Sequence, residues 1–108
     1  MKKQHRRDDE IKEQVAVAIR EIKDPRFNSL MVTVIDSEVS ADLKHAKIFV
    51  SILGEEKDQM LEILKNSAGF LRSLISTKTS LRTMPALHFF LDTSLDSAMK
   101  IENILKDL

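Results

Sequence analysis

KDQMLEILKNSAGFLRSLIS, residues 57–76, is the stretch on which the fold turns. Its apolar residues recur at helical spacing, yet a glycine, Gly69, sits inside the pattern, where it costs roughly 0.5–1 kcal/mol relative to alanine. On a wheel of about 100° per residue, Gly69, Arg72 and Ser76 fall within about 40° of Lys65 and form one polar stripe with it, with Asn66 and Ser73 beside it. The apolar residues, Phe70 at one margin and Leu61 and Ala68 at the other, spread over about half the wheel, wide for a straight helix on a sheet. A bend near NSAG lets each half aim a narrower apolar face at the core. Gly69 then lies on the exposed side, where packing does not need a missing side chain. There it offers bare backbone between two cations, Lys65 and Arg72. A helix start of that kind favours phosphate.

Before this segment lie two strand-like runs. LMVTVIDSEV (30–39) is rich in β-branched residues, and AKIFVSIL (46–53) alternates buried-type Ala46, Ile48, Val50 and Ile52 with Lys47, Phe49 and Ser51. SADLKH between them reads as a hairpin loop. A helix is predicted over 9–22, where Ile11, Val15, Ala18, Ile19 and Ile22 share one face and Asp8, Asp9 and Glu10 suit its positive end. Pro25 stops it. After the bent helix, a short strand (87–91) is entered through Pro85. A last helix is expected from Thr93 or Ser94, with Leu95, Ala98, Ile101, Ile104, Leu105 and Leu108 as its apolar stripe. The order α-β-β-α-kink-α-β-α predicts one α+β domain over residues 1–108, its first eight residues a flexible basic segment. A small three-stranded mixed sheet with a right-handed crossover and helices mainly on one face follows.

The chain has 108 residues, 43% of them hydrophobic and 31% charged, enough for one core. It has no cysteine, which excludes disulfides and thiolate metal sites. MKKQHRRDDE lacks the apolar run of a secretion signal, and no apolar stretch is long enough to span a membrane, so a cytoplasmic protein is expected. Trp and Tyr are absent, so any base stacking falls to the five Phe or to His. Net charge is zero, but the charge is segregated. Lys2, Lys3, Arg6 and Arg7 open the chain without an acid, and Lys65, Arg72, Lys78 and Arg82 are the only charges between Ile63 and Leu91. A basic track of this kind points to an anionic partner.

Other constellations carry less. His5, His45 and His88 lack a second ligand at helical spacing, so no metal is expected. His88 reads as packed or at the sheet margin, and His45 as part of a basic hairpin end with Lys44 and Lys47. Asp36 and Glu38 share a strand face, where an ion pair with Lys47 explains them better than acid–base chemistry. Two glycines cannot build a phosphate loop. Three function classes stay open: an RNA-binding factor, a protein–protein module of α+β type, and a small α/β enzyme of acylphosphatase-like shape for which no convergent catalytic set is present.

The segments KDPR (23–26), VTVIDSEVSADLKHAKIFVSILG (32–54), AGFLRS (68–73) and LRTMPALHFFLDTSLD (81–96) together resemble the ribosome-binding factor A family, in its order and spacing. The resemblance implies a type II KH-like fold in which a kinked helix with an Ala-x-Gly sequence replaces the usual glycine loop; here those positions are Ser67-Ala68-Gly69. It further implies a non-enzymatic, cofactor-free monomer that binds free small ribosomal subunits. Such a factor assists late maturation and 5′-end processing of 16S rRNA, matters most in the cold, and takes no small-molecule substrate. The contact surface expected from charge and resemblance together is Lys65, Asn66, Ser67, Gly69 and Arg72 at the kink, Lys78 and Arg82 beyond it, Lys44 and Lys47 at the hairpin end, and Arg26 in KDPR.

Overall fold

The computed structural model describes residues 2–79 and 83–92. Helix α1 spans Lys2–Ala18 and ends in a 3₁₀ turn, Ile19–Glu21. It starts seven residues before the expected position, because nothing in KKQHRRD breaks a helix; Lys, Gln and Arg are all good formers. Asp8 therefore does not sit at the helix end. Its carboxylate accepts the Val39 N–H at 2.8 Å, and its carbonyl accepts the Ser37 hydroxyl. That second bond satisfies Ser37, a polar residue 2% exposed in the core.

After the connector, Asn28 caps a 3₁₀ turn, Ser29–Met31, by accepting the Leu30 N–H at 3.0 Å. Strand β1 then runs Val32–Val39 and pairs antiparallel with β2, His45–Ile52. A bulge at Ile35 interrupts the register between Val34 and Asp36. Both Asp36 and Glu38 lie beyond it, so they keep a common exposed face, with Glu38 directly opposite Lys47. In the hairpin loop the Asp42 carboxylate accepts from the Ser40 hydroxyl at 2.6 Å and from the Lys44 N–H at 3.0 Å. The serine bond is the main reason the Asp42 carboxyl titrates below its ordinary value. Gly54, at φ +97°, turns the chain out of β2 through a left-handed conformation that side chains rarely adopt.

Helices α2, Lys57–Asn66, and α3, Ala68–Ser76, form the crossover to β3, Ala86–Leu91, which lies parallel to β2. The sheet order is β1-β2-β3, so β1 and β3 are its edges among the described residues. One sheet face is apolar: Val32, Val34 and Val39, then Ala46, Ile48, Val50 and Ile52, then Leu87 and Phe89 are buried on it. Ile11, Val15 and Ile19 of the first helical segment and Leu64, Leu71 and Ile75 of the crossover complete this core. The α+β architecture, the mixed sheet and the kinked crossover agree with the sequence reading. The expected last helix lies outside the described residues.

Candidate nucleic-acid interface

The crossover breaks at a single residue. Ser67, at φ −91° and ψ 0°, is both the last cap of α2 and the first cap of α3. Its N–H is shared between the carbonyls of Ile63 at 2.9 Å and Leu64 at 3.2 Å, and its own carbonyl accepts the Leu71 N–H at 2.9 Å. The interruption thus falls two residues before Gly69, which is the second residue of α3. Gly69 is exposed, and a Cβ built on it meets nothing within 4 Å. No packing constraint demands glycine there; what it leaves is a patch of uncovered backbone beside the hinge.

Arg72 is exposed on the same stripe, but it is not a free cation. Its Nε and Nη2 donate to the Met84 carbonyl at 3.0 and 2.8 Å. Met84 precedes Pro85 and β3, so its carbonyl is outside the sheet ladder, and the guanidinium fork supplies the missing donor. Arg72 thereby fastens α3 to the entry of β3. The wheel could show its exposure, but not a partner twelve residues away.

Asn66 and Ser67 line a cleft of about 1040 Å³ together with the connector that follows α1. Residues 21–26, including Ile22, Pro25 and Arg26, line it as well, and so does Phe70. Phe70 is 51% exposed, although its helix phase placed it at the margin of the apolar face. Arg26 is pinned there by Asp24. Its backbone N–H, Nε and Nη2 all donate to that carboxylate, at 2.9, 3.1 and 2.8 Å. The side-chain bonds from Arg26, more than the backbone bond, hold the Asp24 carboxyl down at about 2, and Asp24 in turn raises the Arg26 guanidinium further above its usual value.

The remaining candidates lie elsewhere. Lys65 borders a smaller recess along β3, with Leu87, His88, Phe89 and Phe90. Lys44 is at the hairpin loop, and its carbonyl accepts the Ala86 N–H at 2.9 Å. Lys47 alternates with buried Ala46 and Ile48, so it projects from the sheet face opposite the helices. Lys78 is exposed just after α3, and Arg82 lies outside the described residues. The structure therefore joins Arg26, Asn66 and Ser67 in one cleft, sets Gly69 and Arg72 beside it on α3, and does not bring Lys47 onto that side.

Two features were not read from the sequence. One is the part played by Phe70 and Ile22 in the cleft; the signal available was a large aromatic at the boundary of the polar stripe. The other is on the sheet face opposite the described helices. His45 Nδ1 and His88 Nε2 share a hydrogen bond at 2.9 Å with ring centroids 5.1 Å apart, and Phe49 and Phe90 lie beside each other at 5.9 Å. His88 is exposed rather than packed, because the parallel register puts Lys47 opposite His88 on the open face. Among the described residues no group of three or more metal-ligating side chains occurs, and no helix is long and apolar enough to cross a membrane.

Among the described residues, three strands in the order β1-β2-β3, with β3 parallel to β2, and two crossover helices hinged at one residue define a KH-like α+β domain. The comparisons agree on the kind. The profile of the family described as ribosome-binding factor A matches residues 3–105, and the chain belongs to that family. A ribosome-binding factor A of Caldanaerobacter subterraneus subsp. tengcongensis is 42% identical over 107 residues, covering 96% of this chain and 87% of its own. The crystal structure of ribosome-binding factor A from Thermus thermophilus superposes with a TM-score of 0.69 at 24% identity, over 78% of this chain and 90% of that one. A homology model of the Thermus thermophilus factor, fitted into a cryo-EM map of its complex with the 30S subunit, has a TM-score of 0.65 at 24% identity, covering 78% and 89% of the two chains. At that identity the two likenesses establish the fold.

Proposed function

We propose that this protein is a ribosome assembly factor that binds free small (30S) ribosomal subunits as a monomer in the cytoplasm. It assists late maturation and 5′-end processing of 16S rRNA, chiefly in the cold, and it works without catalysis or a cofactor. Membership of the family supports the partner. The observation that carries the reading is the exposed hinge: uncovered backbone at Gly69, with Lys65 and Arg72 one helical turn to either side and Asn66 and Ser67 at the break. Backbone N–H groups and cations in that arrangement suit phosphate oxygens, which fix register without reading sequence. Lys78 and Arg82 continue the basic run along the sequence, Lys44 adds positive charge at the hairpin loop, and Arg26 adds a fixed guanidinium at the cleft. The mechanism is that of an RNA-conformation chaperone. Binding one arrangement of an rRNA segment better than its alternative shifts the equilibrium by that difference in affinity and by no more.

Sedimentation of the purified protein with small subunits, large subunits and joined ribosomes across a salt series tests this. Co-sedimentation with free small subunits alone, with a log–log salt slope of about −3 to −4, corresponds to four or five phosphate contacts. Binding that resists both salt and ribonuclease would instead make this a protein–protein module.

A further inference from the structure

The connector cleft is unlike the rest of the proposed surface in its electrostatics. Glu21 and Asp24 offset Lys23 and Arg26 along its wall, and Asp24 already holds the Arg26 guanidinium at 2.8 Å. No excess of positive charge waits there for a phosphate. What the cleft presents is flat and apolar surface with a few directed polar groups. Phe70, 51% exposed on the first turn of α3, shares the cleft with Ile22, Pro25 and Asn66, whose amide can both donate and accept. The guanidinium plane of Arg26 is held in place by its carboxylate, so little is lost in ordering it further. A concave, mostly apolar site with a small number of convergent polar groups is the form of a site for an uncharged planar ligand.

We infer that this cleft takes an unstacked nucleobase from a single-stranded segment of RNA. Phe70 supplies the stacking face, while Asn66 and the fixed Arg26 meet the hydrogen-bonding edge. The inference rests on the small-subunit reading above and sharpens it: phosphates are held along the hinge and basic track, and one base is read at the connector. Absence of Trp and Tyr does not oppose it, since a single ring is enough for a single base.

The test compares the full chain, Phe70→Ala and Phe70→Trp for binding to purified small subunits over a salt series, with dimethyl sulfate probing of the bound rRNA. Phe70 is half exposed, so both variants are expected to fold, and thermal unfolding checks this. Alanine should weaken binding roughly 5- to 150-fold, the range for losing one base–aromatic stack, while tryptophan stays within about threefold. The salt slope should not change, since no phosphate contact is removed. At least one adenine or cytosine protected by the unaltered protein should become reactive again with the alanine variant. Wild-type affinity in Phe70→Ala overturns the cleft inference and leaves subunit binding intact. Weaker binding without a newly reactive base also overturns it, and assigns the cleft to a protein or sugar–phosphate contact. If the unaltered chain fails to bind small subunits, the reading beneath the inference fails, and the inference fails with it.

Discussion

Replacing Arg72 separates its two possible roles. In Arg72→Ala the Met84 carbonyl loses both donors, Nε at 3.0 Å and Nη2 at 2.8 Å. The two bonds end on one acceptor, so they count as a single charge-assisted bond, which falls in a range of about 1.5–3 kcal/mol. Arg72 is exposed, and water can reach the vacated carbonyl, so the low end applies: about 1.5 kcal/mol. For a domain near 100 residues each kcal/mol shifts the midpoint by roughly 4–8 °C, which gives a fall of about 6–12 °C. Circular dichroism during heating, paired with urea unfolding, measures it. Arg72→Lys is the informative partner. Lysine keeps the charge but cannot reproduce the planar fork, so it should lose a similar fraction of stability while retaining most of the salt-dependent subunit binding. A midpoint change below about 2 °C in Arg72→Ala would refute the structural role. A large loss of binding in Arg72→Lys at a temperature where it is fully folded would mean that the fork itself meets the RNA.

Three further outcomes are expected. Gly69→Ala should stabilise the fold by about 0.5–1 kcal/mol, because a Cβ there meets open space and helix propensity improves, while subunit affinity falls if the bare backbone is contacted; a destabilised alanine variant would contradict the geometry. Asp8→Ala removes the acceptor of the Val39 N–H and should cost about 1–2 kcal/mol in urea unfolding, with no loss for Asp9→Ala, whose side chain is exposed. The Asp24 carboxyl, held at about 2 against an ordinary 3.8, favours the folded connector wherever it is ionised. That contribution is complete above about pH 4 and lost as pH falls through about 2. In Arg26→Ala the backbone N–H remains, so an NMR titration should find the carboxyl partway back toward 3.8, and a value still near 2 would remove the guanidinium as the main cause.

The alternation in β2 and the helical phase on either side of Asn66–Gly69 made the sheet and the kinked crossover legible, because each buried face repeats with the period of its element. Boundaries moved where a local competitor was silent in the pattern. The first helix reached back to Lys2, since its early residues favour helix without contributing an apolar stripe, and β1 began only at Val32, since Asn28 captures Leu30 in a capped turn. Of the candidate site, exposure could be read from phase, but partnership could not. Arg72 finds its acceptor across the fold at Met84, His45 meets His88 across 43 positions, and Arg26 is drawn to Asn66 only by the packing of the connector against the hinge. Such pairings depend on register and on crossover geometry, which periodicity leaves undetermined.

The bulge at Ile35 has a consequence for how this chain behaves in a crowd. Among the described residues β1 is an edge strand, and an edge of eight regular residues would offer an unguarded row of backbone donors and acceptors to any neighbouring chain. The extra residue twists that row out of line in its middle, and the exposed carboxylates of Asp36 and Glu38 follow at once, so a second copy laid alongside would meet a broken ladder and like charge. The irregularity that spoils the pleat thus helps to keep molecules from joining edge to edge into aggregates, a safeguard against the self-association to which an open sheet is prone.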